Sequence, residues 1–213
     1  MRNIHWVVIV AWSLIWQPAP ALAQEISVSK KSPLYKLMQE YLPSAAGSYQ
    51  ESYRRGHSSQ VVDAGWNQLK QKDYDGALNS FFLAINMDFK NPSAYFGVAY
   101  VCSLQNNITD AITFYREALK YDKHYSPIYA NLAKALLIQN HNHSTEAPLL
   151  LDEALKVDPS NGEAYVTYAG YCAGKGDWKE AGLKASKAIE AGSTLDPRFA
   201  SELQRHHVDL PEK

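Results

Sequence analysis

The sequence predicts an all-α protein, an α-solenoid of about four helix-turn-helix repeats with a capping helix at its C-terminal end. Pairs of alanines separated by seven residues recur along the chain, and successive pairs lie 34, 36 and 34 residues apart. Around each pair, the apolar residues follow the spacing of one helical face. Because stacked repeats grow along one axis, a chain of 213 residues needs no single large core. The pairs are Ala77 with Ala84, Ala111 with Ala118, Ala147 with Ala154, and Ala181 with Ala188.

Residues 1–23 are predicted to be a secretory signal peptide. Arg2 precedes an apolar run over residues 4–16, and residues 21–23 form an Ala-x-Ala pattern. The run is shorter than the roughly 20 residues that cross a bilayer, and an uncleaved membrane anchor is the alternative. We therefore expect cleavage after Ala23, export to the periplasm or out of the cell, and a soluble mature chain without stable membrane insertion.

The charge balance argues against a nucleic-acid partner. The chain has 21 basic and 22 acidic residues, and loss of the predicted signal peptide, with one basic and no acidic residue, would change the net charge from −1 to −2. Nucleic acids and anionic membranes are attracted mainly by clustered positive charge. We expect neither as a partner.

Residues 24–57 lack the repeat pattern and are predicted to form a short helix on a flexible tether. Apolar residues within 34–42 follow the spacing of one helical stripe, and the chain becomes polar after Pro43. Residues 198–213 are predicted to form a capping helix and a tail, since the outer face of a terminal repeat has no neighbour to cover it. The stripe comprises Leu34, Leu37, Met38, Tyr41 and Leu42, and the four repeats within 58–197 are predicted at 58–91, 92–125, 126–161 and 162–195.

The turns contain residues that begin helices. Asp73 and Asp177 each precede a predicted second helix, where an aspartate can accept a hydrogen bond from the first turn. Pro127 suits the first turn of a helix, because the N–H that it lacks would have no partner within the helix. Repeat three carries two extra residues within 140–143.

The small and aromatic positions of the repeats resemble those of the tetratricopeptide repeat family, whose period is about 34 residues. The resemblance covers about 140 residues, with a departure at Val61, where an aromatic residue is usual. It implies a right-handed α-solenoid that binds proteins or peptides. The matching positions are Gly65, Ala99, Ala133 and Ala169 on first helices, the four alanine pairs on second helices, Tyr74 and Trp178 after the turn, and Asp158 with Pro159 at a helix end.

The resemblance also implies a concave surface on the first helices that holds an extended peptide or a helix. Its N-terminal half is apolar and aromatic, which suits a hydrophobic helix. Only Asn131 and Lys134 are similar to the family's clamp for a C-terminal carboxylate, so we expect no such clamp. Two alternatives are that the aromatic residues pack only against their neighbours, or that the predicted 34–42 helix occupies the surface. By register, the surface residues are Val62, Trp66, Phe96, Tyr100, Ala130, Asn131, Lys134, Val166 and Gly170.

The candidate reactive residues predict no catalysis, metal or cofactor. Cys102 and Cys172 occupy the same place in first helices two repeats apart, a separation of roughly 20 Å that is too long for a disulfide. We interpret them as small buried hydrophobic residues. His141 and His143 lie in a polar turn without the further ligands that a zinc site needs. We also expect His206 and His207 on a C-terminal tail, and Glu117 and Glu153 on the solvent faces of second helices.

These features predict a non-catalytic scaffold for protein-protein interaction in the periplasm or cell envelope. The chain resembles small tetratricopeptide proteins of bacterial pilus and secretion machines, such as the tight-adherence (Flp) pilus assembly protein, which implies a role in assembling such a machine. It is also similar to periplasmic tetratricopeptide subunits that hold apocytochrome c for haem attachment. An accessory factor of cell-wall or outer-membrane assembly is a third alternative. Predicted cleavage after Ala23 favours the first, since a cytochrome-maturation subunit usually retains a membrane helix.

Overall fold

The structure is a computed structural model that describes residues 51–211, with side chains from Gly56 onward. Every regular element in this range is a helix, and no helix in it is both long and apolar enough to cross a bilayer. The predicted signal peptide at 1–23 and the predicted 34–42 helix lie outside the described residues. The helices are α1 (Glu51–Lys70), α2 (Tyr74–Met87), α3 (Pro92–Leu104), α4 (Ile108–Tyr121), α5 (Ser126–Gln139), α6 (Glu146–Val157), α7 (Gly162–Gly174), α8 (Trp178–Glu190) and α9 (Pro197–Arg205).

The helices occur in the predicted order, two to each predicted repeat, followed by the capping helix α9. The chain divides into two compact units between Val101 and Cys102, within α3. Unit 1 contains α1, α2 and the first part of α3. Unit 2 contains the end of α3 and all later helices.

The first helix begins earlier than the sequence predicts. α1 starts at Glu51, so residues 51–57, which the sequence assigned to the tether, are helical. Among the side chains of α1 that the structure describes, the first buried ones are Ser58 and Val62, and the repeat pattern begins there. Upstream of Ser58 no proline interrupts the helix, and Gly56 alone costs only about 1 kcal/mol relative to alanine.

Unit 1 is built around a phenylalanine that fills the space beside two glycines. α1 packs along α2, and Phe81 of α2 is fully buried. A Cβ atom at Gly65 would lie 2.7 Å from the Phe81 ring, and a Cβ atom at Gly97 would clash with the same ring. The absence of a side chain at both positions therefore lets the ring enter. α2 begins as predicted, since the Asp73 carboxylate accepts a hydrogen bond from the N–H of Gly76 at 2.9 Å.

A serine and an asparagine tie the helices of repeat one together. The Ser58 hydroxyl donates a hydrogen bond to the Ala84 carbonyl at 3.0 Å, and the Asn91 side chain donates to the Ser58 oxygen at 2.8 Å. The Asn91 amide oxygen also accepts the N–H of Ser93 in the first turn of α3. Ser58 within α1, the last turn of α2 and the start of α3 are thus joined through the buried Ser58 and the half-buried Asn91.

Unit 2 contains the same arrangement in repeat three. The Ser126 hydroxyl donates to the Ala154 carbonyl at 2.7 Å, and the Asn161 side chain donates to the Ser126 oxygen at 2.7 Å. Asn161 also caps α7 by accepting the N–H of Ala164. This network was not predicted, although serine and asparagine recur at corresponding positions of repeats one and three.

The alanine pairs of unit 2 lie where its helices cross. α5 packs against α4 and α6, and α7 packs against α5, α6 and α8. Ala147 and Ala154 are fully buried with Leu151 in the cluster between α5, α6 and α7. The two extra residues of repeat three lengthen the α5–α6 turn, where His141 and Asn142 adopt positive φ angles of 48° and 65°.

The capping helix α9 covers repeat four. The Asp196 carboxylate caps it by accepting hydrogen bonds from the N–H groups of its first turn. Leu203 is fully buried in a cluster with Ala181 and other residues of α7 and α8. His206, which the sequence placed on a tail, stacks on Trp178 with 3.6 Å between ring centroids and 7° between ring planes. This stack fixes the end of α9 against α8.

Candidate binding surface on the first helices

Three aromatic side chains from α1 and α3 lie side by side in unit 1. The ring centroid of Trp66 is 5.7 Å from those of Phe96 and Tyr100, and the centroids of Phe96 and Tyr100 are 6.1 Å apart. Trp66 and Tyr100 are half-buried, whereas Phe96 is only 7% exposed. We call these three residues the aromatic cluster. It combines two partly exposed residues, Trp66 and Tyr100, with the buried Phe96.

The interior of unit 1 holds the aromatic cluster in place. Phe81 meets Trp66 edge to face, with 5.1 Å between ring centroids. Phe81 reaches this position because Gly65 and Gly97 leave room for its ring. Edge-to-face aromatic pairs contribute about 0.5 to 1.5 kcal/mol beyond the area that they bury. The orientation of Trp66 is therefore set before any partner binds, which lowers the entropic cost of binding.

Three residues that the sequence placed on the surface lie in the interior. Val62 is 5% exposed and Ala130 is fully buried, and Phe96 is nearly as enclosed as Val62. A side chain at one register position of a helix can lie between helices or face solvent, depending on how closely the next helix packs. In unit 1, Trp66 and Tyr100 are the members of the predicted set that a partner can reach.

The predicted polar residues of unit 2 already have partners within the chain. The Lys134 ammonium lies 2.6 Å from the Glu163 carboxylate, with both side chains about half exposed. The Asn131 side chain donates to the Pro127 carbonyl of its own helix at 2.9 Å. A carboxylate clamp needs uncompensated cations and free donors, so this pairing works against one. Glu163 was not among the predicted residues, because only the packing of α5 against α7 brings it to Lys134.

The other predicted residues of unit 2 form an open, uncharged position. Val166 of α7 is half-buried, and a Cβ atom at Gly170 would meet no other atom within 4 Å. Gly170 therefore leaves space beside α7 that a partner side chain could fill.

Removal of the Lys134 side chain should have little effect on stability. An exposed ion pair contributes about 0 to 1 kcal/mol, because solvent screens it and ordering its side chains costs entropy. We expect Lys134→Ala to lower the free energy of unfolding by less than about 1 kcal/mol, as measured by chemical denaturation. Lys156→Ala, in the comparably exposed pair with Glu153, is the matched control. A much larger loss for Lys134→Ala alone would show that the pair organises the α5–α7 contact.

The tyrosines of α7 are covered by lysines of the same unit. The Lys184 ammonium lies 4.4 Å from the ring centroid of Tyr168, and Lys187 lies 5.8 Å from that of Tyr165. Burial, together with the nearby Asp152 carboxylate, raises the pKa of Tyr168 to about 12. The chain itself therefore provides cation contacts for these two rings.

The reactive side chains of the described residues are enclosed or scattered. Cys102 and Cys172 are both free and buried, as predicted, and burial raises the pKa of both thiols. No three His, Cys, Asp or Glu side chains among the described residues are grouped as a metal site would require. Glu117 was wrongly predicted on a solvent face: it is 8% exposed, and its carboxylate lies 2.6 Å from the Lys120 ammonium. Glu153 is exposed, as predicted.

Comparisons with known proteins agree with this architecture. Family models described as tetratricopeptide repeat match residues 95–124 and 132–196. A thermophilic TPR protein of Thermus thermophilus is similar with a TM-score of 0.59 and 18% identity, over 70% of this chain and 82% of that one. MamA is similar with a TM-score of 0.54 and 18% identity, over 63% and 78% of the two chains. The Arabidopsis OM64 TPR domain is similar with a TM-score of 0.51 and 21% identity, over 55% of this chain and 96% of that one. No curated protein matches the sequence.

The described residues therefore have the fold of a helical-repeat protein. Residues 95–124 and 132–196 match tetratricopeptide repeat models, and the described helices have the all-α fold of the solved tetratricopeptide proteins, which confirms the predicted fold class.

Proposed function

We propose that this protein is a non-catalytic scaffold of the cell envelope that binds a peptide or helix of another protein on its first helices. The aromatic cluster is the proposed contact in unit 1, and Asn131, Lys134 and Val166 are candidate contacts in unit 2, each unit being considered by itself. We further propose that the bound protein is a component of a pilus or secretion machine and that the scaffold assists its assembly.

The half-exposed pair of Trp66 and Tyr100 is the observation that carries this proposal. Tryptophan and tyrosine are frequent energetic centres of protein interfaces, because they bury a large area at a low cost in side-chain entropy. Here both rings rest on Phe96, which is nearly buried, so a partner would meet a preformed apolar surface.

The chemistry of the surface favours an apolar segment as the ligand. A helix laid on such a surface contributes residues at positions i, i+3, i+4 and i+7 to the contact. Recognition of a C-terminal carboxylate is disfavoured, since Glu163 neutralises Lys134 and the Asn131 donor is used within its own helix.

The proposed location rests on the sequence of residues 1–23, which has the features of a cleaved signal peptide. The proposed role in assembly rests on the resemblance to small tetratricopeptide proteins of pilus and secretion machines. Sequencing the N-terminus of the protein from its native host tests the location, and a start at Gln24 is the expected result.

A crosslinking capture from the native cell envelope tests the partner. A photoreactive amino acid at Tyr100 probes the aromatic cluster, and the same amino acid at Leu83 is the control, since Leu83 is 43% exposed on the second helix of repeat one. We expect a pilus or secretion component to be captured from Tyr100 and not from Leu83. Capture of an apocytochrome would replace the assembly role by a chaperone role, and capture of a cell-wall synthase or outer-membrane complex would indicate an accessory factor. Equal capture from both sites would contradict binding at the cluster.

Tyr100→Ala should weaken binding of the captured partner by about 1 to 3 kcal/mol, the range of an aromatic interface residue. Affinity is measured by calorimetry and stability by thermal melting of the same samples. Trp66→Ala should lower both affinity and melting temperature, because Trp66 also packs against Phe81. If Tyr100→Ala lowered the melting temperature and left the affinity unchanged, Tyr100 would be a packing residue.

A further inference from the structure

We propose that the apolar stripe of residues 34–42 docks on the aromatic cluster and competes with the external partner for it. This inference rests on the proposed function, because it assigns a regulator to the same surface. The segment lies outside the described residues, so the reasons come from its sequence, from the start of α1 and from the surfaces of unit 1.

The first reason is complementarity. Leu34, Leu37, Met38, Tyr41 and Leu42 follow the spacing of one face of a helix. An apolar face of this kind needs an apolar surface to cover it. The half-exposed rings of Trp66 and Tyr100 provide such a surface within unit 1.

The second reason is that the open side of α1 is polar. Ser59, Asp63 and Asn67 follow one another at intervals of four residues on α1, and all three are exposed. An apolar stripe packed there would bury polar groups without gaining apolar contact, which is unfavourable. Docking against this outer side of repeat one is therefore disfavoured relative to the aromatic cluster.

The third reason is reach. Trp66 lies 15 residues beyond Glu51, the first residue of α1, which corresponds to about 22 Å along the helix axis. Residues 43–50 connect the stripe to α1, and eight extended residues span up to about 28 Å. The connection is therefore long enough for the stripe to fold back along α1 and reach Trp66.

A tethered segment also binds more favourably than a free peptide of the same sequence, because the tether keeps it close to the surface. A short flexible connection gives an effective concentration on the order of 1 mM. A segment whose intrinsic dissociation constant is about a tenth of that concentration would then occupy the surface about ten times as often as it leaves it free. The affinity for an external ligand would fall by about tenfold, and that ratio is measurable.

The test uses the processed chain and a synthetic peptide that copies residues 33–43. Leu37→Asp disrupts the stripe, and Gln39→Asp places the same charge in the same segment but off the stripe. We expect a photoreactive amino acid at Tyr100 to crosslink to a proteolytic fragment containing residues 34–42 in the natural chain and in Gln39→Asp. We expect this crosslink to be lost in Leu37→Asp, and that variant to bind the synthetic peptide about tenfold more tightly than the natural chain does.

The inference is overturned if Tyr100 forms no crosslink to 34–42, or if Leu37→Asp and Gln39→Asp bind the peptide with the same affinity as the natural chain. Its failure can be told apart from failure of the proposed function. Equal capture of an envelope partner by the natural chain and by Leu37→Asp would leave the scaffold role standing without the competition. The internal crosslink without capture of any partner by either chain would support docking of the stripe and contradict the scaffold role.

Discussion

Phe81→Ala should lower the free energy of unfolding by about 3 to 5 kcal/mol, the usual cost of removing a buried phenylalanine side chain. Phe81 is fully buried, fills the space beside Gly65 and Gly97, and contacts Trp66 edge to face. Because the two glycines have no side chains that could move into the void, the cavity should stay open, and the loss should lie toward the upper end of this range.

Chemical denaturation followed by circular dichroism measures this change. Leu83→Ala is the matched control, because Leu83 lies on the same helix and is 43% exposed, and we expect it to change stability by no more than about 0.5 kcal/mol. Partner binding at the aromatic cluster should weaken in Phe81→Ala even where the protein remains folded, since Trp66 loses its support. Equal stability of the two variants would contradict the central packing role of Phe81.

Leu203→Ala should lower the free energy of unfolding of unit 2 by about 2 to 5 kcal/mol. Leu203 is the fully buried residue through which α9 covers α7 and α8, in a cluster that includes Ala169 and Ala185. A terminal repeat without its cap exposes an apolar face to water. The destabilisation should therefore begin at α9 and extend into repeat four.

Hydrogen exchange of the backbone amides of α7, α8 and α9 resolves where the protection is lost. Gln204→Ala is the control, since its side chain is exposed beside Leu203 on the same helix. We expect faster exchange in all three helices for Leu203→Ala and no change for Gln204→Ala. Loss of protection confined to α9 would mean that repeat four is stable without its cap.

Much of the fold followed from local patterns in the sequence. The alanine spacing identified the crossings at which helices come close, and every one of the eight paired alanines is fully buried. Asp73 and Asp177 begin second helices as predicted, each accepting a hydrogen bond from an N–H three residues later. These features depend on residues close together in the chain, so a single sequence can reveal them.

The composition of the binding surface was less predictable. Register placed Trp66, Phe96 and Tyr100 on one surface, and their rings are neighbours. It could not show that Phe96, Val62 and Ala130 are buried while Trp66 and Tyr100 are partly exposed. The contact between Lys134 and Glu163 joins residues 29 positions apart, and the stack of His206 on Trp178 joins residues far apart in the chain. Such pairs form only where packing sets the distance between helices.

By itself, the sequence determined the all-α repeat architecture, the order of the helices, the caps at Asp73 and Asp177 and the small residues at the helix crossings. Those properties follow from helical periodicity and from the chemistry of turns, both of which act over a few residues. The tertiary structure alone decided that Glu117 is buried, that Ser58 with Asn91 and Ser126 with Asn161 join successive helices, and that Trp66 and Tyr100 are only partly buried. Each of these depends on how closely one helix approaches the next, because side chains far apart in the chain then compete for the same space and the same hydrogen bonds.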